Sequence, residues 1–273
     1  MLQERAMLAQ LSISQWTARK HDKSVSAEVE KAHAAHNAGR FNKDLVDKAL
    51  LEPITKLAGQ VREFHYDKTL AWNDSGARLL PSILFADYST KIRHFRREFD
   101  RLVDDMVTQY PVEVQAARNR LGTMYNPGDY PDPQEIKDRF QIKIEFEPVP
   151  NANDFRVDVG QEAADEIRSS ITQGVLDRQA DAVKSTYKRI HDVVSKVYER
   201  LSVEDAIFKD TLIKNVRDLC VVLPAFNLNN DPAITALHTA LLDLTDVSIQ
   251  QLRVDTRLRQ RTANKAQAIL NTL

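Results

Sequence analysis

The sequence predicts a mainly α protein, an elongated helical bundle of long, antiparallel, coiled-coil-like helices carrying one small β-hairpin. Three observations carry that expectation. Two long segments place apolar residues at alternating four- and three-residue steps, the spacing of a heptad seam. Glycine and proline are scarce, at 7 and 10 of 273 residues, so little interrupts a helix. One stretch, "FQIKIEFEPVPNANDFRVDV" at 140–159, alternates polar and apolar residues instead, which is the period of a strand.

Along the chain, 11–16 ("LSISQW") alternates briefly and predicts a short strand, followed by a helix in "SAEVEKAHAAHNAG" that Gly39 should stop. Segment 44–64 spaces Leu45, Ala49, Leu50, Ile54, Leu57, Val61 and Phe64 as a helix, with Pro53 expected to kink or split it. "AWNDSGARLLPS" reads as a polar turn with an apolar tail. In 82–110, Tyr88, Ile92, Phe95, Phe99, Leu102 and Met106 form the first heptad seam, and Pro111 should end it. A shorter helix then fills 112–124, and "YNPGDYPDP" forces an irregular loop.

In 140–159, Phe140, Ile142, Ile144 and Phe146 share one face and Gln141, Lys143, Glu145 and Glu147 the other. Phe155, Val157 and Val159 repeat the pattern after a turn, hence the hairpin. Two strands alone are marginal in water, so helices must cover the apolar face or the 11–16 strand must join as a third. Segment 161–201 holds the cleaner seam, Leu176, Ala180, Val183, Tyr187, Ile190, Val194, Val197 and Leu201, with a kink or break expected at Gly174 where the phase changes. Ser202 with Asp205 resembles a capping box opening a helix to Leu223. Asp231-Pro232 sets an N-cap and first-turn proline for 233–244, and a last helix runs toward Leu273. The expected division is 1–201, the bundle with its hairpin, and 202–273, a helical subdomain ending in a basic helix. The two seams can satisfy each other within one chain, or one of them can form a homodimer.

Charges nearly cancel, 38 Lys plus Arg against 39 Asp plus Glu, so no global field draws the chain to nucleic acid or anionic lipid. The single cysteine, Cys220 in "LCVVL", excludes an internal disulfide and reads as a buried thiol. No segment approaches the roughly 20 apolar residues of a membrane span, and no signal-peptide core opens the chain, so a cytoplasmic location without membrane contact is expected.

Candidates for chemistry are few. Glu30, His33 and His36 would share a helical face and offer two imidazoles to a divalent metal, an incomplete ligand set. Asp129 and Asp132 sit among prolines and read as turn residues before acid-base groups. No phosphate loop, nucleophile elbow or metalloprotease motif is present, so no catalytic residue and no cofactor is assigned. Arg253, Arg257, Arg261 and Lys265 recur every four residues, with Arg259 nearby, and would form a basic stripe able to meet phosphates. The hairpin's polar row, including Lys143, Glu145, Arg156 and Asp158, marks either a cap on the bundle or an edge for a partner strand.

"LSISQWTARK", "WNDSGARLLP", "YPVEVQAARNRLG", "GDYPDP" and "FQIKIEFEPVPNANDFRV", in that order over roughly the first 200 residues, resemble a family of uncharacterised bacteriophage proteins of unknown function, often encoded near AAA+ ATPase and von Willebrand A-type genes. The resemblance transfers no site residue. It implies a phage-encoded protein made in the host cytoplasm and working beside an ATPase. Together these readings favour a non-enzymatic interaction or assembly protein that binds itself or a phage or host protein. The alternatives are a nucleic-acid binder using the basic C-terminal helix and a small-ligand enzyme or host-defence antagonist.

Overall fold

The computed structural model describes residues 2–203 and 207–273. In chain order the elements are α1 (Leu2–Arg5), β1 (Ala6–Ser14), β2 (Arg19–His21), α2 (Lys23–Ala32), β3 (Asn42–Asp44), α3 (Lys48–Lys68), β4 (Leu70–Ala71), β5 (Ala77–Pro81), α4 (Phe85–Leu121), α5 (Pro133–Lys137), β6 (Gln141–Pro148), α6 (Gln161–Leu201), α7 (Thr211–Phe226), α8 (Pro232–Thr245), α9 (Ile249–Val254) and α10 (Thr256–Leu270). The protein is mainly α, as its composition implies. The capping pair proposed for Ser202 and Asp205 falls at Asp205 outside the described residues.

The sheet departs from the expected hairpin. Four strands stand in the order β4-β5-β1-β6, and β2 with β3 makes a separate pair. β1 runs antiparallel to β5, with Ala6 opposite Pro81 and Leu8 opposite Leu79. β4 is antiparallel to β5 in turn. β6 forms where alternation predicted it, but 155–159 does not pair with it: Asn151 caps a 3-10 turn at Ala152–Asp154 and the chain stays irregular up to α6. Val157 and Val159 are consequently exposed. β6 finds its partner in β1, whose Ala6, Leu8 and Ala9 are buried, so the N-terminal strand joins the sheet and replaces the second hairpin strand.

Helix ends also moved. α2 stops at Ala32, short of Gly39, because Ala34 takes the left-handed conformation (φ 48°) and the Ala35 N–H bonds back to the Glu30 carbonyl, a Schellman-type stop built on alanine. α3 continues through Pro53 and α4 through Pro111, which merges the expected 82–110 and 112–124 helices into one of 37 residues. Each proline forfeits a single intrahelical bond, which tertiary packing on the flanking turns offsets. α6 likewise runs through Gly174 without a break. The final helix is divided, since Asp255 both ends α9 and caps α10, accepting from the Leu258 N–H at 2.9 Å.

The chain divides into two compact units, each assembled from separate stretches. The first comprises Met1–Gln10, Tyr66–Ala86 and Glu145–Leu273, and so includes all of 202–273. Its core is the stripe Ile190, Val194, Val197 and Leu201 of α6, packed with Val216 and Leu223 of α7, Leu241 of α8, Leu252 of α9 and Ala266 of α10. α6 packs on α7 and α10. Upstream the buried face rotates: Val175, Ala182 and Thr186 are buried while Leu176 is exposed, a shift of about 60–100° at 3.6 residues per turn. There the neighbours are β4 and the 3-10 turn at Ala152–Asp154, so the covered face is chosen by what surrounds the helix and leaves the expected heptad line.

The second unit comprises Leu11–His65 and Asp87–Ile144. The α4 seam is buried at Tyr88, Ile92, Phe95, Phe99 and Met106, with Val103 taking the fully buried place expected of Leu102. α3 covers it: Phe64 stacks on Tyr88 and meets Phe95 edge-on, and His65 Nδ1 hydrogen-bonds the Tyr88 hydroxyl at 2.7 Å. Further along, Phe99 meets Phe140 and Tyr110 meets Trp16. Each heptad seam therefore finds cover inside its own unit.

Ile190 and Phe99 are both fully buried. Ile190→Ala is expected to cost about 2–5 kcal/mol and Phe99→Ala about 3–5 kcal/mol, the combined transfer and cavity terms of a closed core. Urea denaturation checks this; a loss under about 1 kcal/mol at either position contradicts the burial described.

Candidate interaction surface

β6 is the terminal strand of its sheet, and its backbone groups point alternately toward β1 and away from it. Ile142 is buried and Ile144 half-buried, while Gln141, Lys143, Glu145 and Glu147 are exposed, so the alternation read from the sequence holds through the first half of the strand. It fails at Phe146, which lies on the apolar side yet is 39% exposed. Phe146 meets Phe85 edge to face, ring centroids 5.2 Å apart at 71°. Phe85, the first residue of α4, is itself 37% exposed, and Ile83 before it is 79% exposed. All three lie in the first unit. An edge-to-face aromatic pair is favourable beyond its buried area, but here it leaves apolar surface facing water beside an open strand edge. Such an arrangement offers main-chain hydrogen bonds to an extended segment and an apolar anchor for it.

Of the residues expected at this edge, Lys143 and Glu145 are on β6. Arg156 and Asp158 lie in the irregular stretch before α6, on no strand. The exposed aromatic pair was not legible, because Phe85 sits at a helix start and Phe146 follows the apolar face of its strand.

The basic stripe is broken by Asp255. Arg253, at the end of α9, donates to the Asp210 carboxylate at 2.6 Å and to the Phe208 carbonyl at 3.2 Å. Arg259 donates to the Leu252 and Arg253 carbonyls, closing the C-terminus of α9, and lies over the Phe208 ring. Lys265 pairs with Asp243 at 2.7 Å. Arg257 and Arg261, one turn apart on α10, are exposed. Two cations neutralise too few phosphates for a strongly salt-dependent contact, so this face supports nucleic-acid binding less than the four-residue repeat suggested.

Of the residues proposed for a metal or acid-base chemistry, the two aspartates have structural contacts. Since α2 ends at Ala32, Glu30 stays on the helix while His33 caps it and His36 lies beyond, and the shared face is lost. Among the described residues no three His, Cys, Asp or Glu side chains gather as a metal site. Asp132 caps α5, accepting from the Gln134 N–H at 2.9 Å. Asp129 belongs to a buried triad in the second unit: Lys43 Nζ lies 2.8 Å from Asp129, 3.2 Å from Asp22 and 2.6 Å from the Met124 carbonyl. Burial works against the Lys43 ammonium, but the Asp129 and Asp22 carboxylates outweigh it and its pKa lies above the usual lysine value. An amine so held is not a neutral-pH nucleophile. The Ser24 hydroxyl and the Val25 N–H at the start of α2, then Lys43, hold the Asp22 carboxyl down at about 2. Cys220 is buried, as its apolar run predicted, and burial pushes its thiol up.

In the first unit, Arg189 donates to the Tyr66, Asp67 and Thr69 carbonyls and lies over Phe226. Burial, with Arg78 nearby, lowers its guanidinium to about 10, still charged at neutral pH and placed against the negative end of α3. The sequence gives no sign of this role, because Arg189 sits among the polar positions of a long helix.

No protein-family model matches the chain, and no curated protein or solved structure is significantly similar to it.

A carboxyl whose folded pKa lies below its unfolded value stabilises the fold above the unfolded pKa and loses that contribution as pH falls through the folded one. For Asp22 the window runs from the usual 3.8 down to about 2. Asp22→Asn is expected to melt below the wild type at pH 7, with the gap closing as both are titrated through that window. Thermal melts followed by circular dichroism check this, and a gap unchanged down to pH 2 contradicts it.

Proposed function

We propose that the chain is a non-enzymatic interaction or assembly protein acting through protein–protein contacts. The observation that carries this reading is the open edge of β6 beside the exposed Phe85–Phe146 pair. The groups that invited a chemical reading have structural duties instead: Asp129 holds Lys43, Asp132 caps a helix, and Cys220 is packed in the core. Among the described residues no helix is long and apolar enough to cross a membrane. A phage-encoded protein made in the host cytoplasm, with an AAA+ ATPase among its partners, is the setting that the family resemblance of the first 200 residues implies.

Tagged full-length protein recovered from infected cells, with retained proteins identified by mass spectrometry, tests this. The expected outcome is a partner retained by the wild type and bound roughly tenfold more weakly by the Phe85→Asp/Phe146→Asp double variant, the loss typical of an aromatic anchor. A chain that light scattering finds strictly monomeric and that retains no phage or host protein overturns the reading.

A further inference from the structure

Ten consecutive residues of α4, Tyr88 to Arg97, hold Lys91, Arg93, Arg96 and Arg97 and no carboxylate. At 3.6 residues per turn the three arginines fall within about 100° of one another and about 6 Å along the axis, so they form one cluster. Lys91 points to the opposite flank and lies over the Phe95 ring at 4.8 Å. We propose that Arg93, Arg96 and Arg97 bind the phosphate backbone of a nucleic acid. This surface is independent of the protein-contact reading above.

The three guanidiniums lack acceptors. Arg96 is half-buried, its Nε is shielded from water, and that N–H meets no partner among the described residues. Ser89, two turns earlier on the same side of the helix, has a buried hydroxyl in the same condition. Unmatched donors of this kind cost stability, and a guanidinium carries five donors and no acceptor, so its partner must come from another group. Arg93 makes one hydrogen bond, to the Thr90 hydroxyl at 3.0 Å, and Arg97 makes none among the described residues. The carboxylates that follow do not serve them. Glu98 accepts two bonds from Arg101, at 2.7 and 3.2 Å, and Asp100 pairs with neither Arg96 nor Arg97. All of these residues lie in the second unit.

A nucleic-acid backbone fits the cluster better than other anionic partners. Guanidiniums grip phosphate oxygens in pairs, and a strand with a charge about every 3.4 Å along its helix axis keeps several phosphates within the reach of three arginines. Stable binding to an anionic bilayer adds an apolar face to its cations, but the apolar residues of α4, Tyr88, Ile92, Phe95 and Phe99, are buried in the core of their own unit. Affinity for a protein partner rests mainly on apolar or aromatic anchors, and the outward residues Thr90, Arg93, His94 and Arg97 supply none. A contact made of cations alone suits a polyanion. Phosphate contacts carry no base information, so the binding is expected to be independent of sequence.

Fluorescence anisotropy of a labelled, mixed-sequence DNA duplex of about 20 base pairs, titrated with the full-length chain from low salt upward, is the test. The logarithm of the binding constant should fall against the logarithm of salt with a slope of about −2 to −3, the counterion release of two or three phosphate contacts. The Arg93→Glu/Arg97→Glu double variant, changed at exposed positions, should bind at least about tenfold more weakly and with a slope shallower by about 2, while Arg257→Glu/Arg261→Glu on α10 should bind as the wild type does. Circular dichroism confirms that both variants are folded. No anisotropy change at low salt overturns the proposal, and so does binding that survives reversal at Arg93 and Arg97 or is lost on reversal at Arg257 and Arg261. Phosphatidylserine vesicles or polyglutamate that bind through Arg93 and Arg97 while the duplex does not would assign the cluster to another partner and overturn the nucleic acid.

Discussion

Strand β1 is hydrogen-bonded along both edges, to β5 on one side and β6 on the other, and much of the fold follows from that one constraint. A backbone N–H or C=O in a strand serves one neighbour, so β6, once paired with β1, has a single edge left. The segment at 155–159 carries the alternation of a hairpin strand but is preceded by Pro148, Pro150 and the Asn151 cap, and it forms no strand. Nine residues of β1 with a buried apolar side make a better template than a marginal two-stranded hairpin. The pairing also gathers strands from residues 6–14, 77–81 and 141–148 into one sheet, a long-range arrangement no local pattern announces.

What was legible in the sequence follows from whether one face of an element meets water. α4 and the second half of α6 are amphipathic, and their buried residues were largely those the heptad spacing picked out. β5 was missed because Leu79 and Leu80 are both fully buried, so the strand has no polar face and no alternation. Prolines misled in the other direction: Pro53 and Pro111 read as breaks, yet the energy of one lost hydrogen bond is small beside the packing of the turns around them. The stop of α2 was misplaced because glycine is the usual left-handed residue and this chain uses Ala34. The capping box of Ser248 and Gln251, and Asp255 before Thr256, were signals present in the sequence that divide the last helix. At the candidate surface, Lys143 and Glu145 were readable as an exposed row, but the openness of the edge depends on which strand β6 pairs with.

Several cations of this protein act within the fold. Arg253, Arg259, Lys265 and Arg189 each sit against a carboxylate or the carbonyl end of a helix, where a cation offsets the unpaired acceptors of the last turn. A repeat of basic residues at four-residue steps therefore has two physical readings, a field directed at a polyanion or a series of props between helix ends. Asp255 decides between them here, because it interrupts the helix on which the stripe would have been continuous.

An open strand edge is a hazard as well as an opportunity, since any extended chain can add to it. Charged residues on such an edge ordinarily oppose pairing. The sheet's other terminal strand, β4, is two residues long and too short to continue the ladder. The sheet therefore has one long terminal strand, β6, and one short one.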